Sequence, residues 1–166
     1  MFTIVIWDKQ EKKLYLVRDR IGIKPLYYYY SDGQFVFASE LKAIFSLPFV
    51  AKEIDNSSVS NFLYLGYIPG ESTIYTSCKK LKPGHYAVVD ANGLQINPYW
   101  QIEDKLKPDT VKDELVAKAQ LDKLVQTSVA YCMISDVPLG IFLSGGVDSS
   151  LVAAVAQQQS ATSVKT

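Results

Sequence analysis

Residues Ile141–Val155 read IFLSGGVDSSLVAAV, an apolar run, a turn of small residues and a helix-like run in immediate succession. Extended upstream, VPLGIFL (137–143) has the unbroken apolar character of a strand buried on both faces. Ser144-Gly145-Gly146 follows with no side chain beyond one hydroxyl, so backbone amides there can approach a ligand closely. The run DSSLVAAVAQQQ (148–159) then opens a helix whose first N–H groups and dipole point back at the turn. Strand, glycine turn and helix N-terminus together make an anion cradle, and the hydroxyls of Ser144, Ser149 and Ser150 add donors suited to phosphate oxygens. A plain tight connection, with Asp148 or Ser149 merely capping the helix, has the same local pattern. The specific string weighs against it: Ser, Gly, Gly, Asp and Ser at fixed positions recur by chance about 10⁻⁶ times per position. Neither GxxxxGK[ST] nor GxGxxG is present, so a phosphate ligand is expected but not a simple P-loop nucleotidase.

Upstream of this unit, DELVAKAQLDKLVQTSVAYCM (113–133) carries Leu115, Leu121, Leu124, Val125, Ser128 and Cys132 at three- and four-residue steps, which predicts an amphipathic helix with one apolar face. SVKT (163–166) reads as the start of another strand. Residues 101–112, QIEDKLKPDTVK, are dense in charge, contain Pro108 and break the hydrophobic pattern, so they are expected to be a linker between two domains. The first hundred residues read as β-rich with two helices. MFTIVIW and LYLVR are strands around the charged turn DKQEKK, and LYYYY and FVFA flank the turn SDG. SELKAIFSL has helical spacing, with Ser39 as N-cap and Pro48 as its end; DNSSVSNFLYL is a second helix, stopped by GYIPG. HYAVVD, ANG and LQINPYW form a hairpin.

Composition narrows the function. Seventeen basic and 17 acidic residues balance among 166, which argues against a nucleic-acid or membrane-surface partner. A hydrophobic content of 48% with 12% aromatics supports a packed core rather than disorder. No apolar run is long enough to span a membrane, and the N-terminus has no signal-peptide pattern. Cys78 and Cys132 have no metal or CxxC spacing and read as reduced thiols of a cytoplasmic protein. His85 in KPGHY, the pair Asp19 and Arg20, and the tyrosines 27–30 all read as structural.

The string SGGVDSS resembles the pyrophosphate loop of the ATP pyrophosphatase superfamily. Together with RDRIGIKPLYY (18–28), FASELKAI (37–44), LGYIPGESTIY (65–75), KLKPGHY (80–86) and SDVPLGIFLSGGVDSSLVAAV (135–155), it resembles the glutamine-hydrolysing asparagine synthetase family along essentially the whole chain. The resemblance implies α+β followed by α/β: the later part of a class II, Ntn-type αββα glutamine amidotransferase domain over residues 1–100, then, from residue 113 to 166, the opening of a Rossmann-like synthetase domain. It implies an enzyme in which an N-terminal cysteine releases ammonia from glutamine. Aspartate and ATP then form β-aspartyl-AMP and pyrophosphate, and ammonia displaces AMP to give asparagine. By position, Leu143 contacts the nucleotide through its backbone, while Ser144, Gly145, Gly146, Val147, Asp148, Ser149 and Ser150 line the pyrophosphate and its Mg²⁺, with Asp148 nearest the metal. The family's nucleophile uses its own α-amino group as base, so neither Cys78 nor Cys132 can replace it. The expectation is therefore an internal fragment without a complete active site, from a parent whose partners are glutamine, aspartate and ATP and for which a homodimer is allowed. A related amidotransferase acting on another carboxylate, of β-lactam synthetase type or from polysaccharide or peptide biosynthesis, and a non-catalytic truncated product are the alternatives.

Overall fold

A computed structural model describes residues 1–106 and 111–166. In chain order the elements are β1 (Thr3–Asp8), β2 (Lys13–Arg18), β3 (Tyr27–Ser31), β4 (Gln34–Ala38), α1 (Leu41–Ile44), α2 (Asn56–Leu65), β5 (Cys78–Lys80), β6 (His85–Asp90), β7 (Gly93–Pro98), α3 (Glu114–Cys132) and α4 (Val147–Gln159). They fall into two compact units, Met1–Leu106 and Lys107–Thr166. Of the expected linker, residues 107–110, Pro108 included, lie outside the described residues; Glu103–Lys105 forms one 3₁₀ turn.

The apolar, β-branched and aromatic runs TIVIW and LYLVR, joined by a charged turn, set the first sheet. β1 pairs antiparallel with β2, Ile4 opposite Val17 and Ile6 opposite Tyr15, and the sheet continues β1-β2-β6-β7. The second sheet runs β4-β3-β5, also antiparallel, around the turn in which Asp32 and Gly33 both take positive φ. The tyrosine run shows how the layers meet. Tyr28 joins Leu16, Leu26, Leu81 and Ala87 in the core between the sheets, while Tyr29 points the other way, into a second core with Ile44, Val50 and Cys78. Period-two alternation along β3 thus feeds two cores from one strand. Leu41 and Ile44 of α1 cover the outer side of that second core.

Two elements differ from the sequence expectation here. α1 is a single turn whose N-cap is Glu40, not Ser39, without a side-chain cap, and it ends at Phe45, ahead of Pro48. β5 was not anticipated: three residues, CKK, become a strand only because β3 supplies a ladder, with Tyr29 opposite Cys78. The second helix does form as the residues direct. Asp55 caps it, accepting from the Ser57 N–H at 3.0 Å, and Gly66 closes it in the left-handed region.

In the second unit, α3 and α4 pack through Val129, Val155 and Ala156, with Val125, Met133, Ile141 and Val164 around them. The packed stripe of α3 is thus Val125–Val129–Met133. Leu115, Leu121 and Leu124, expected on that face, are exposed, because α4 covers only one narrow stripe. VPLGIFL does not become a doubly buried strand either. It makes one parallel bridge, Gly140 to Lys165, with the Ile141 N–H donating to the Lys165 carbonyl at 2.8 Å, and Phe142 is fully exposed. A ladder needs neighbours, and the SVKT segment is the one paired with it among the described residues.

Candidate phosphate-binding site

Ile141 is held in the α3–α4 core and tied to Lys165, so the chain leaves a fixed point three residues before the Ser144–Gly146 turn. Gly145 then takes φ +79°, a left-handed conformation that any Cβ would strain. Gly146 returns to extended φ/ψ and is the N-cap of α4. The first intrahelical bond is Ser150 N–H to the Gly146 carbonyl at 3.1 Å, and no side chain caps the helix, so the N–H groups of Val147, Asp148 and Ser149 precede the ladder.

Three hydroxyls close on this turn. Those of Ser149 and Ser150 donate to the Gly146 carbonyl at 3.0 and 2.8 Å. Since Ser149 has spent its one hydrogen, the Ser144 hydroxyl is the donor in the 3.0 Å contact between Ser144 Oγ and Ser149 Oγ. A Cβ placed on Gly146 would sit 3.6 Å from Ser144 Oγ and 3.8 Å from Ser149 Oγ, inside the mouth those hydroxyls define. An anion in that mouth would meet helix N–H groups at once and draw the Ser149 and Ser150 hydrogens from Gly146 and the Ser144 hydrogen from Ser149, which is the donor set phosphate oxygens require.

The expected residues divide accordingly. Ser144, Gly146, Ser149 and Ser150 form one hydrogen-bonded group, and Gly145 shapes it. Leu143 and Val147 are exposed beside it. Asp148 lies in the first turn of α4 and brings a single carboxylate. No group of three or more His, Cys, Asp or Glu side chains that could hold a metal exists among the described residues. An apolar cavity of about 510 Å³ in the same unit, lined in part by Met133, Val152 and Val164, shares no residue with loop 144–150.

The remaining candidates are structural. The Asp19 carboxylate accepts from the backbone N–H groups of Ile21, Gly22, Ile23 and Lys24 at 2.7–3.2 Å and from Phe2 at 3.4 Å. Burial alone would raise its pKa; the N–H groups outweigh it and bring it down to about 2. Its working neighbour is Arg18, not Arg20: the buried Arg18 guanidinium donates to the carbonyls of Lys24, Gly22 and Leu81, whereas Arg20 is exposed. The carbonyls of Gly22, Lys24 and Leu81 converge on Arg18 only once the chain is folded, so sequence spacing did not reveal it. His85 Nδ1 lies 2.7 Å from the Pro83 carbonyl within its own turn. Cys78 is buried, which pushes its thiol pKa up, and Cys132 is exposed.

Residues 1–100 match the family model described as glutamine amidotransferase domain, which is well over half of the chain. The chain belongs to the glutamine amidotransferase domain family. Residues 120–166 match a second model, asparagine synthase. Asparagine synthetase [glutamine-hydrolyzing] 3 of Bacillus subtilis is 35% identical over 158 residues, 94% of this chain and 25% of that protein. Asparagine synthetase [glutamine-hydrolyzing] 1 of the same organism is 36% identical over 162 residues, covering 95% and 24%. Amidase chry2 of Gibberella zeae is 31% identical over 156 residues, covering 92% and 22%. The chain thus spans about a quarter of the length of these relatives. The amidotransferase match preceding the synthase match, with synthetases aligned along nearly all of the chain, fits a fragment of asparagine synthetase and bears out the resemblance that the motifs suggested.

Proposed function

We propose that this amidotransferase chain is part of a glutamine-dependent, ATP-using carbon–nitrogen ligase of the asparagine synthetase type, working in the cytoplasm. In this reading, residues 1–100 belong to an Ntn-type αββα glutaminase domain, 101–112 link it onward, and 113–166 open a Rossmann-like ATP pyrophosphatase domain. The observation that carries the nucleotide half is the Ser144–Ser150 loop, with three hydroxyls and free helix N–H groups converging on one mouth. Aspartate attacks the α-phosphorus of ATP through its β-carboxylate, pyrophosphate departs, and ammonia from glutamine then displaces AMP to leave asparagine. The loop holds the departing pyrophosphate: Ser144, Ser149 and Ser150 donate to its oxygens, Gly145 and Gly146 let it reach the backbone, and Leu143 and Val147 flank the nucleotide. Mg²⁺, when bound, would neutralise phosphate charge, and Asp148 is the carboxylate of the loop that would hold it.

Two measurements test this reading. Titration of the 166-residue chain with magnesium pyrophosphate should show binding that Gly146→Val abolishes; equal binding by that variant would remove the loop from the reaction. Replacing the aligned stretch of the Bacillus subtilis synthetase 3 with these residues should preserve aspartate-dependent exchange between ATP and labelled pyrophosphate. The similarity to a protein named as an amidase favours one second reading, the same frame serving another carboxylate. Exchange stimulated by other carboxylates but not by aspartate selects it.

A further inference from the structure

The β3–β5 ladder stops at Tyr29 opposite Cys78, whereas β3 runs on to Ser31 beside β4. Past that last pair the sheet has a notch, and a cavity of about 470 Å³ opens there, with every lining residue in the first unit. Its volume falls among those of small-molecule sites, about 300–1,000 Å³. Tyr28 and Tyr29, both buried, supply fixed wall, and Leu94 of β7 lies beside them. Phe49 is half exposed and leans on Tyr29, the two rings tilted with centroids 6.0 Å apart.

Two opposite charges stand on this cavity. Glu53 is held in place: the Thr76 N–H donates to its carbonyl at 3.0 Å and the Thr76 hydroxyl to its Oε2 at 3.3 Å. The Ser77 hydroxyl ties the same segment through the Ala51 carbonyl at 2.7 Å. Lys79 stands in β5 opposite Tyr28. Glu53 and Lys79 both line the cavity, both are exposed, and neither enters an ion pair among the described residues. A simple anion would be drawn by Lys79 and repelled by Glu53, and a simple cation the reverse. A ligand that carries both charges suits both residues, and the aromatic and aliphatic wall favours an apolar body. A free amino acid bears both charges on one carbon, whereas a residue inside a peptide bears neither.

We propose that this cavity binds a free α-amino acid with an apolar side chain, its carboxylate on Lys79, its ammonium on Glu53 and its side chain against Tyr29, Phe49 and Leu94. Calorimetric titration of the 166-residue chain with L-leucine and with L-phenylalanine should give dissociation constants of about 1 mM or tighter. Lys79→Met and Glu53→Gln should each raise the constant about tenfold or more. The glutamine keeps an acceptor for the Thr76 hydroxyl, so the segment stays tied. N-acetyl-leucine lacks the ammonium and leucinamide the carboxylate, and each should bind about tenfold more weakly than leucine. The Bacillus subtilis synthetase 3 carrying these residues, where active in pyrophosphate exchange, should bind leucine as the chain does. The Ser144–Ser150 loop takes no part, so magnesium pyrophosphate binding stands or falls separately. Absence of binding by both amino acids, binding indifferent to both variants, or tighter binding of glutamine or aspartate would overturn the proposal. So would an active hybrid synthetase that ignores leucine, since the rest of that protein would then fill the cavity. Should a variant fail to fold, the two analogues decide on the unaltered chain: weaker binding of both supports the paired charges, and binding equal to leucine rejects them.

Discussion

Asp19 concentrates more of the first unit's organisation than any other charged residue described here. Its carboxylate gathers the Gly22–Lys24 turn and the start of β1, and Arg18 gathers the carbonyls of the same turn. The turn also needs Gly22, whose φ is +72° and whose added Cβ would lie 2.7 Å from Pro83. Because the folded pKa of Asp19, about 2, is below its ordinary 3.8, the unfolded chain binds more protons between those values. Its contribution, about 2 kcal/mol, is therefore complete above about pH 4 and disappears as pH falls toward 2. Urea unfolding across that window should show this loss, and Asp19→Asn should be less stable at neutral pH by about 2–4 kcal/mol with the acid slope flattened. At the phosphate loop, Gly145→Ala should destabilise the second unit by about 1–2 kcal/mol through its positive φ, and should weaken pyrophosphate binding in the same titration.

The helices and strands show which sequence signals survive packing. β1, β2, β6 and β7 were readable because each is a short run rich in aliphatic, β-branched or aromatic residues beside an identifiable turn, and α2 because Asp55 and Gly66 mark its ends. β5 was not readable, since three residues carry no period and it exists through pairing with β3. Residues 137–143 failed in the opposite sense: apolar content marks what a strand would bury, but a ladder depends on partners, and one bridge to Lys165 is what this segment obtains. The loop itself was legible because glycine and serine act through backbone freedom and hydroxyl donors, which need no distant residue. α3 combines both lessons. Asp113 caps it by accepting from the Leu115 and Val116 N–H groups at 2.8 and 3.1 Å, a local signal independent of what the helix packs against. Asp113→Ala should cost about 1 kcal/mol, measured as loss of helical ellipticity at lower urea concentration.

At the scale of the whole chain, the two units differ in what holds them. Met1–Leu106 has two buried clusters, one between its sheets and one beneath α1, whereas Lys107–Thr166 rests on Val129, Val155 and Ala156 and a few half-buried neighbours. Opening free energy follows buried apolar contact, so the units should exchange amide hydrogens on different scales. Leu16 in β2 and Ala87 in β6, both buried at mid-strand, should be among the slowest. Amides throughout α3 and α4 should exchange many-fold faster, with Val129 and Ala156 the slowest of that unit. Magnesium pyrophosphate should narrow the gap, because a ligand that binds only the folded loop stabilises the helix on which it sits, and more so as its concentration exceeds its dissociation constant. Protection should grow first at Ser150 and along the first turns of α4, then at Val155, while β2 and β6 stay unchanged. Equal protection in both units without ligand would mean that the second unit draws stability from contacts beyond its three-residue core. Ligand-induced slowing confined to the first unit would place the pyrophosphate site away from the Ser144–Ser150 loop.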